Sequence, residues 1–242
     1  MRSFDRSMPE ERNRVLADHL AALLLCSSPA AAANLERESV IGTVEVVGDV
    51  MVDVAMRWQP TARVRADVPA AYGLQPGGYL LLTAHRAGNV DDADRLSALL
   101  DLIASLQQPV LFAMHPRTAA RLAQFDLHER LASIEGLVIT EPLGYSEFTA
   151  LLCQARAVLT DSGGVQKEAY LAGVRCVTLR DSTEWVETVQ AGWNTLVDLD
   201  PERVREALAS ELPPERPQPY GDGRAATRCV TAIDQLAERI GG

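Results

Sequence analysis

Several patterns are missing from this chain, and each absence removes a class of protein. Its four cysteines, Cys26, Cys153, Cys176 and Cys229, are scattered, with no CxxC and no histidine at a metal-like spacing. That argues against a disulfide framework or a zinc site and for buried thiols in a reducing compartment. The apolar run at residues 20–26 is far shorter than the about 20 residues that a membrane-crossing helix needs, and it reads as part of an amphipathic helix. The opening Met1-Arg2-Ser3-Phe4-Asp5 carries no secretory signal pattern, so a cytoplasmic location is expected. Basic clusters are lacking too: 33 acidic residues against 23 basic ones leave a formal charge of -10. Such a chain is poorly suited to nucleic acid or to an anionic membrane. Any phosphate it binds must be held by local amides and a few Arg or His side chains, against the overall field. Internal repeats and low-complexity tracts are absent as well.

What is present is ample core material, 47% hydrophobic residues over 242 positions, enough for one large domain or two small ones. Periodicity predicts helix over residues 8–25 and a short strand at 44–47. A Pro- and charge-rich passage at 59–76 reads as a linker. Strand runs follow at 79–83, 110–114, 137–140, 157–160, 176–179 and 195–197. Helical patterns lie between them at 92–105, 118–125, 145–154, 165–172, 184–191 and 201–211, with a last helix at 223–240. Strands alternating with helices imply an α/β fold with a doubly wound parallel sheet, because a parallel return needs a crossover.

The most informative stretch is Thr160-Asp161-Ser162-Gly163-Gly164-Val165-Gln166-Lys167-Glu168-Ala169, which follows apolar Ala157-Val158-Leu159 and opens an amphipathic segment. A strand, a small-residue turn and a helix start fit it, and the free amides of that first turn attract an anion. Ser162 can cap the helix or offer its hydroxyl to a phosphate. Gly163 and Gly164 let backbone approach a ligand without a Cβ in the way, and Glu168, about one turn on, suits a ribose diol. An ordinary capped turn also explains a lone SGG, with Asp161 accepting amides to hold it. A second polar loop, Leu179-Arg180-Asp181-Ser182-Thr183-Glu184-Trp185-Val186-Glu187, follows another apolar run, as expected where ligands bind in open α/β sheets.

His85 and His115 both end apolar strand runs. Each is suited to a loop over phosphates, where imidazole donates to an oxyanion, and each is also explained by capping a strand end. Arg86 and Arg117 add guanidinium groups beside them. His19, mid-helix, and His128, in a charged loop, read as structural. Ser7-Met8-Pro9-Glu10 has the form of a capping box, which alone accounts for a glutamate there.

TDSGGVQKEA with LRDSTEWVET resembles the nucleotide-binding signature of the non-hydrolysing UDP-N-acetylglucosamine 2-epimerases. Further matches run in that family's order: Arg2 to Arg6 with Met8-Pro9-Glu10-Glu11-Arg12-Asn13-Arg14, Gly48 to Asp53, Thr83-Ala84-His85-Arg86, His115-Pro116-Arg117 and Glu141 to Tyr145. Gly88 stands where the family usually has Glu in HRxEN.

The resemblance implies a GT-B-like fold, two Rossmann-like domains facing across a cleft. Residues 1–68 would be the C-terminal remnant of an incomplete first domain, 69–211 a complete nucleotide-binding second domain, and 212–242 a crossover helix. The family's opening segment has no counterpart here. A helix over 15–26 would then expose an apolar stripe, so the isolated chain is expected to be poorly soluble or oligomeric, as a homodimer or in association with a missing N-terminal fragment. The implied reaction interconverts UDP-GlcNAc and UDP-ManNAc by eliminating UDP and adding it back with a proton on the opposite face. Glu10 and His85 are the implied catalytic groups. Arg86, His115, Ser162, Gly163 and Gly164 would hold the diphosphate, Glu168 the ribose, and Leu143 to Tyr145 the uracil, with Glu184 and Trp185 lining the pocket. No cofactor and no metal are implied. Rival readings are a non-catalytic UDP-sugar-binding fragment and a hydrolysing 2-epimerase or other GT-B enzyme.

Overall fold

The computed structural model describes residues 1–4 and 9–241. In chain order the elements are α1 Pro9–Leu20, β1 Leu23–Cys26, α2 Pro29–Arg37, β2 Thr43–Val46, α3 Val50–Arg63, α4 Asp67–Ala70, β3 Leu80–Thr83, α5 Ala87–Val90, α6 Ala93–Ser105 and β4 Val110–Ala113. They continue with α7 Pro116–Gln124, α8 His128–Ala132, β5 Leu137–Thr140, α9 Tyr145–Gln154, β6 Ala157–Thr160, α10 Gly163–Ala172, β7 Arg175–Thr178, α11 Val186–Gln190, β8 Asn194–Leu196, α12 Pro201–Ala209 and α13 Ala225–Gly241. Two compact units share these elements. One comprises Met1–Arg57, Glu184–Glu187 and Pro217–Gly242, the other Trp58–Thr183 and Thr188–Arg216.

The larger unit is a six-stranded, wholly parallel sheet in the order β5-β4-β3-β6-β7-β8. Strands β3, β4 and β6 are buried along their whole length, which is why they read as continuous apolar runs and not as alternating ones. Side chains divide by the period of two. Leu80, Leu82, Phe112 and Leu159 enter one core with Leu96, Leu99 and Ile103 of α6. Tyr79, Leu81, Leu111 and Val158 enter the other with Leu151 of α9 and Ala169 and Ala172 of α10.

The smaller unit holds a two-stranded parallel sheet, β1 with β2, whose core is Leu24, Cys26, Ala31 and Leu35. Ser28 caps α2 by accepting from the Ala31 amide, and Pro29 fills the first position, where a missing N–H is harmless. Arg2 is buried and satisfied by two carboxylates, Glu38 at 2.7 Å and Asp18 at 2.6 Å. Asp53 on α3 accepts from the Ala225 and Ala226 amides at 3.0 and 2.8 Å, anchoring the start of α13. Gly48, at φ 88°, passes so close to Tyr220 that a Cβ would lie 3.1 Å from its carbonyl oxygen.

Three sequence expectations are corrected. The run 20–26 is not one helix: α1 ends at Leu20, and Leu23–Cys26 is a strand. A four-residue apolar run carries no period that separates helix from strand, and pairing with Thr43–Val46 decides it. The stripe expected over 15–26 is therefore split, with Leu16 and Leu20 exposed at 63% and 86% and Leu24 buried. The passage 59–76 is no open linker, since α3 runs on to Arg63 with Pro60 inside it and α4 follows. There Gln154 donates to the carbonyls of Ala62 and Arg65, and Val68 and Leu74 join the core. His128 begins the short helix α8 and is not in a loop. The capping box at Ser7 and Met8 falls outside the described residues.

Candidate functional site

The strand order creates a split in the larger unit. From β3 the chain steps outward to β4 and β5, then returns to β6 on the other side of β3 and proceeds to β7 and β8. Loops after β3 and β6 therefore leave the sheet in opposite directions, the crevice where open α/β sheets receive ligands. The last rung is Thr83 beside Thr160, their hydroxyls 2.6 Å apart, and Thr160 Oγ1 also accepts from the Ser162 amide at 3.0 Å.

Asp161, the next residue, is fully buried, and its partners differ from those expected. Its carboxylate does not brace its own turn. It accepts the His85 amide at 2.9 Å, the Arg86 amide at 2.9 Å and the Asn89 side-chain amide at 3.1 Å, all from the segment after β3. Asn89 is oriented in turn, donating to the Leu179 carbonyl and accepting from Arg95, which is paired with Asp198. One carboxylate thus fastens the two loops of the crevice to each other. Gly88, the departure in this segment, has nothing within 4 Å of where a Cβ would stand, so the loop does not require glycine there.

His85 and His115 stack with ring centroids 5.0 Å apart and planes at 28°. Burial pushes the His85 imidazole below its ordinary pKa; the Asp161 carboxylate pulls it back up, and His115, Arg86 and Arg117 push it down. His85 Nδ1 lies 3.5 Å from Asp161 Oδ1. His115 is the N-cap of α7, its Nδ1 accepting from the Arg117 amide at 3.1 Å. The Arg117 guanidinium pairs with Asp91, which also takes Arg121.

Across the crevice, Ser162 is the N-cap position of α10 but makes no capping bond with its side chain. A Cβ on Gly164 would meet only Ser162 Oγ at 3.9 Å, so the fold leaves open space over the first turn. Further along α10, burial raises the Glu168 carboxyl to about 7. The Glu168 charge in turn raises the Tyr145 hydroxyl, although burial is the larger cause. Leu143 packs half-buried on the core that contains Ala169 and Ala172. So His85, Arg86, His115, Ser162, Gly163 and Gly164 converge on the ends of β3, β4 and β6, with Glu168, Leu143 and Tyr145 reached along α10 and α9.

Glu10, Glu184 and Trp185 belong to the smaller unit. Glu10 is exposed in the first turn of α1. Its neighbour Glu11 is buried and accepts from the Ser3 amide and hydroxyl, the Phe4 amide and Arg14. Glu184 and Trp185 are buried, and Trp185 meets the Tyr220 ring edge-on at 5.8 Å. Glu187 accepts from Ser28 and Tyr220. Reading the sequence missed Asn89, Glu11 and Gln166, the last of which accepts from Thr183 at 2.6 Å and Asn194 at 3.1 Å. For Asn89 and Gln166 the partners lie too far along the chain for any local pattern to announce them.

A cavity of about 640 Å³ opens at the opposite end of the sheet, lined by Leu100, Gln108, Pro109, Arg130, Ile134 and Gly136 among others. None of the residues discussed above as site candidates faces it. Among the described residues no cluster of His, Cys, Asp and Glu could hold a metal ion, and no helix is long and apolar enough to cross a membrane.

The model of the family described as UDP-N-acetylglucosamine 2-epimerase matches residues 1–234. The chain belongs to that family. The 2-epimerase of Methanocaldococcus jannaschii is 40% identical over 242 residues, covering 96% of this chain and 66% of its own. A Pseudomonas aeruginosa relative named UDP-2,3-diacetamido-2,3-dideoxy-D-glucuronate 2-epimerase is 38% identical, over 98% of this chain and 66% of that one. Among solved structures, the M. jannaschii 2-epimerase in complex with UDP-GlcNAc and UDP superposes with a TM-score of 0.86 at 39% identity, covering 97% of this chain and 67% of that one. This family member therefore spans about two thirds of the length of these relatives. The α/β class and the parallel sheet of the larger unit are as the resemblance implied.

Proposed function

We propose that the chain binds UDP-N-acetylglucosamine and takes part in its 2-epimerisation. The observation that carries this reading is the crevice itself: an uncapped helix start with open space over Gly164 after β6, fastened through Asp161 to the loop after β3 that carries His85, which stacks on His115. Amide dipoles at Ser162 to Gly164, an imidazole N–H and a guanidinium are the kinds of donor a departing diphosphate needs, which supports the reading. Glu168 accepts from the ribose hydroxyls, and the segment around Leu143 and Tyr145 takes the base.

In this reaction the C2 proton leaves, the bond from C1 to the UDP oxygen breaks, and UDP adds back after a proton reaches C2 from the other face. His85, whose pKa is held below its ordinary value by burial, stays neutral at pH 7 and so keeps a lone pair with which to accept a proton. The carboxylate of Glu10 is part of that proposed chemistry, as are Glu184 and Trp185 in contacts to the sugar. The P. aeruginosa relative, at nearly the same identity, supports a second reading in which the sugar is a diacetamido uronate.

Activity as a homodimer, or together with further polypeptide in the same or a separate chain, is part of the proposal. Its support is the apolar surface of the smaller unit, with Ile41 95% exposed and Leu20 86% exposed. Among the described residues no other strand pairs with β1 or β2, and free edges of that kind invite partners.

Calorimetric titration of the folded chain with UDP, followed by incubation with UDP-GlcNAc and with the diacetamido uronate nucleotide, tests the reading. Binding of UDP and appearance of the 2-epimer of one sugar are expected. A folded chain that gives no heat with UDP refutes it. Light scattering should show association, and a strictly monomeric sample would remove that part of the proposal.

A further inference from the structure

The two stacked imidazoles are not equivalent, and the neighbours of their Nδ1 atoms say how. A neutral histidine carries its proton on one nitrogen and a lone pair on the other, and the partner of each nitrogen selects which. His115 Nδ1 receives the Arg117 amide proton at 3.1 Å, so it is the lone-pair nitrogen and Nε2 carries the hydrogen. A proton added at Nδ1 would abolish the cap on α7. His85 Nδ1 instead faces the buried Asp161 carboxylate at 3.5 Å, an acceptor already fixed by two backbone amides and Asn89. A lone pair there would oppose a carboxylate, so Nδ1 is the nitrogen that bears the proton, and Nε2 is left to exchange one.

We propose that Asp161 is a positioning residue that sets the Nδ1-protonated form of His85, while the α7 cap sets the Nε2-protonated form of His115. His85 is thereby the ring that gains and loses a proton, and His115 the ring that donates to an anion. Asp161 acts through His85 and touches no substrate. The charged and titratable groups facing His85 are Asp161 from the β6–α10 loop, Arg86 on its own loop, and His115 and Arg117 from α7 and its cap. Only the first favours the imidazolium. The assignment of an anion to His115 rests on the nucleotide reading above; the proton positions do not.

The chain has four histidines, so long-range proton–nitrogen spectra of the ¹⁵N-labelled protein resolve each ring, with His85→Gln and His115→Gln providing assignments. Nδ1–H at His85 and Nε2–H at His115 are expected, and the reverse form at either ring overturns the proposal. In Asp161→Asn the His85 titration should move to lower pH; a folded variant with an unmoved midpoint also overturns it. Should that variant not fold, the wild-type spectra decide alone. Addition of UDP should shift the His115 Nε2–H signal. No response to UDP, with both proton positions as stated, would defeat the nucleotide reading and the anion role of His115 and leave the Asp161 assignment standing.

Discussion

The two units use the same local devices, parallel strands, Pro-started helices and carboxylates receiving backbone amides, yet they differ in how far each closes its own core. In the larger unit three central strands are buried from end to end and both sheet faces are covered. In the smaller one, two strands share a four-residue core and large apolar side chains such as Leu16, Leu20 and Ile41 remain in solvent. The difference teaches where rigidity is available for chemistry. Groups that must hold a geometry stand at the rim of the closed sheet. Groups on the open unit draw order from charge pairs such as Arg2 with Glu38.

The sharpest way to break that comparison is a matched pair of truncations. Leu82→Ala removes a fully buried side chain from the large core and should cost about 2–5 kcal/mol in chemical denaturation. Leu35→Ala, in the small core, should fall at the low end of that range and quicken amide exchange in β1 and α2 without quickening β3 or β6. Equal acceleration in both units would show one cooperative structure.

A smaller effect concerns pH. Glu168 is raised from 4.5 to about 7 by burial, so its ionisation opposes the fold. That cost is absent below the unfolded value, grows as pH rises between the two, and is complete above about 7. Glu168→Gln should therefore match the wild type near pH 4 and exceed it by about 1–2 kcal/mol above pH 7, discounted for remaining solvent contact. The same variant should bind UDP less tightly. No gain at high pH would contradict the burial argument.

Two glycines sharpen the comparison further, because the closed unit keeps them where its own packing does not demand them. Gly164→Ala should stabilise the fold by up to about 1 kcal/mol, since Gly is poor in helices and the space is open. It should also weaken UDP by about tenfold or more, near 1.4 kcal/mol. Unchanged UDP affinity would remove the ligand explanation of that glycine. Gly88→Ala, in α5 with open space at its Cβ position, should add about 0.5 kcal/mol and leave UDP affinity alone.

Legibility followed the range of the interactions. The strands Leu137–Thr140 and Ala157–Thr160 and the helix Tyr145–Gln154 could be read to the residue, because buried runs and turn chemistry are local signals. The turn at Ser162 to Gly164 was equally plain. Helix α2 went unread although Ser28-Pro29 announces its start, and Leu23–Cys26 was misread because four apolar residues carry no period. What local pattern could not supply was the 72-residue bond from Asn89 to Asp161, or the burial of Glu11 and exposure of Glu10 beside it. The loops were visible; their mutual fastening was not.

That fastening has a kinetic corollary. With Asp161 gripping amides from the opposite loop, the lips on either side of β3 and β6 cannot swing apart independently. On the proposed function, a nucleotide arriving there would meet two loops already joined, so its capture should be paced by diffusional encounter and the shedding of hydration water more than by rearrangement of this rim.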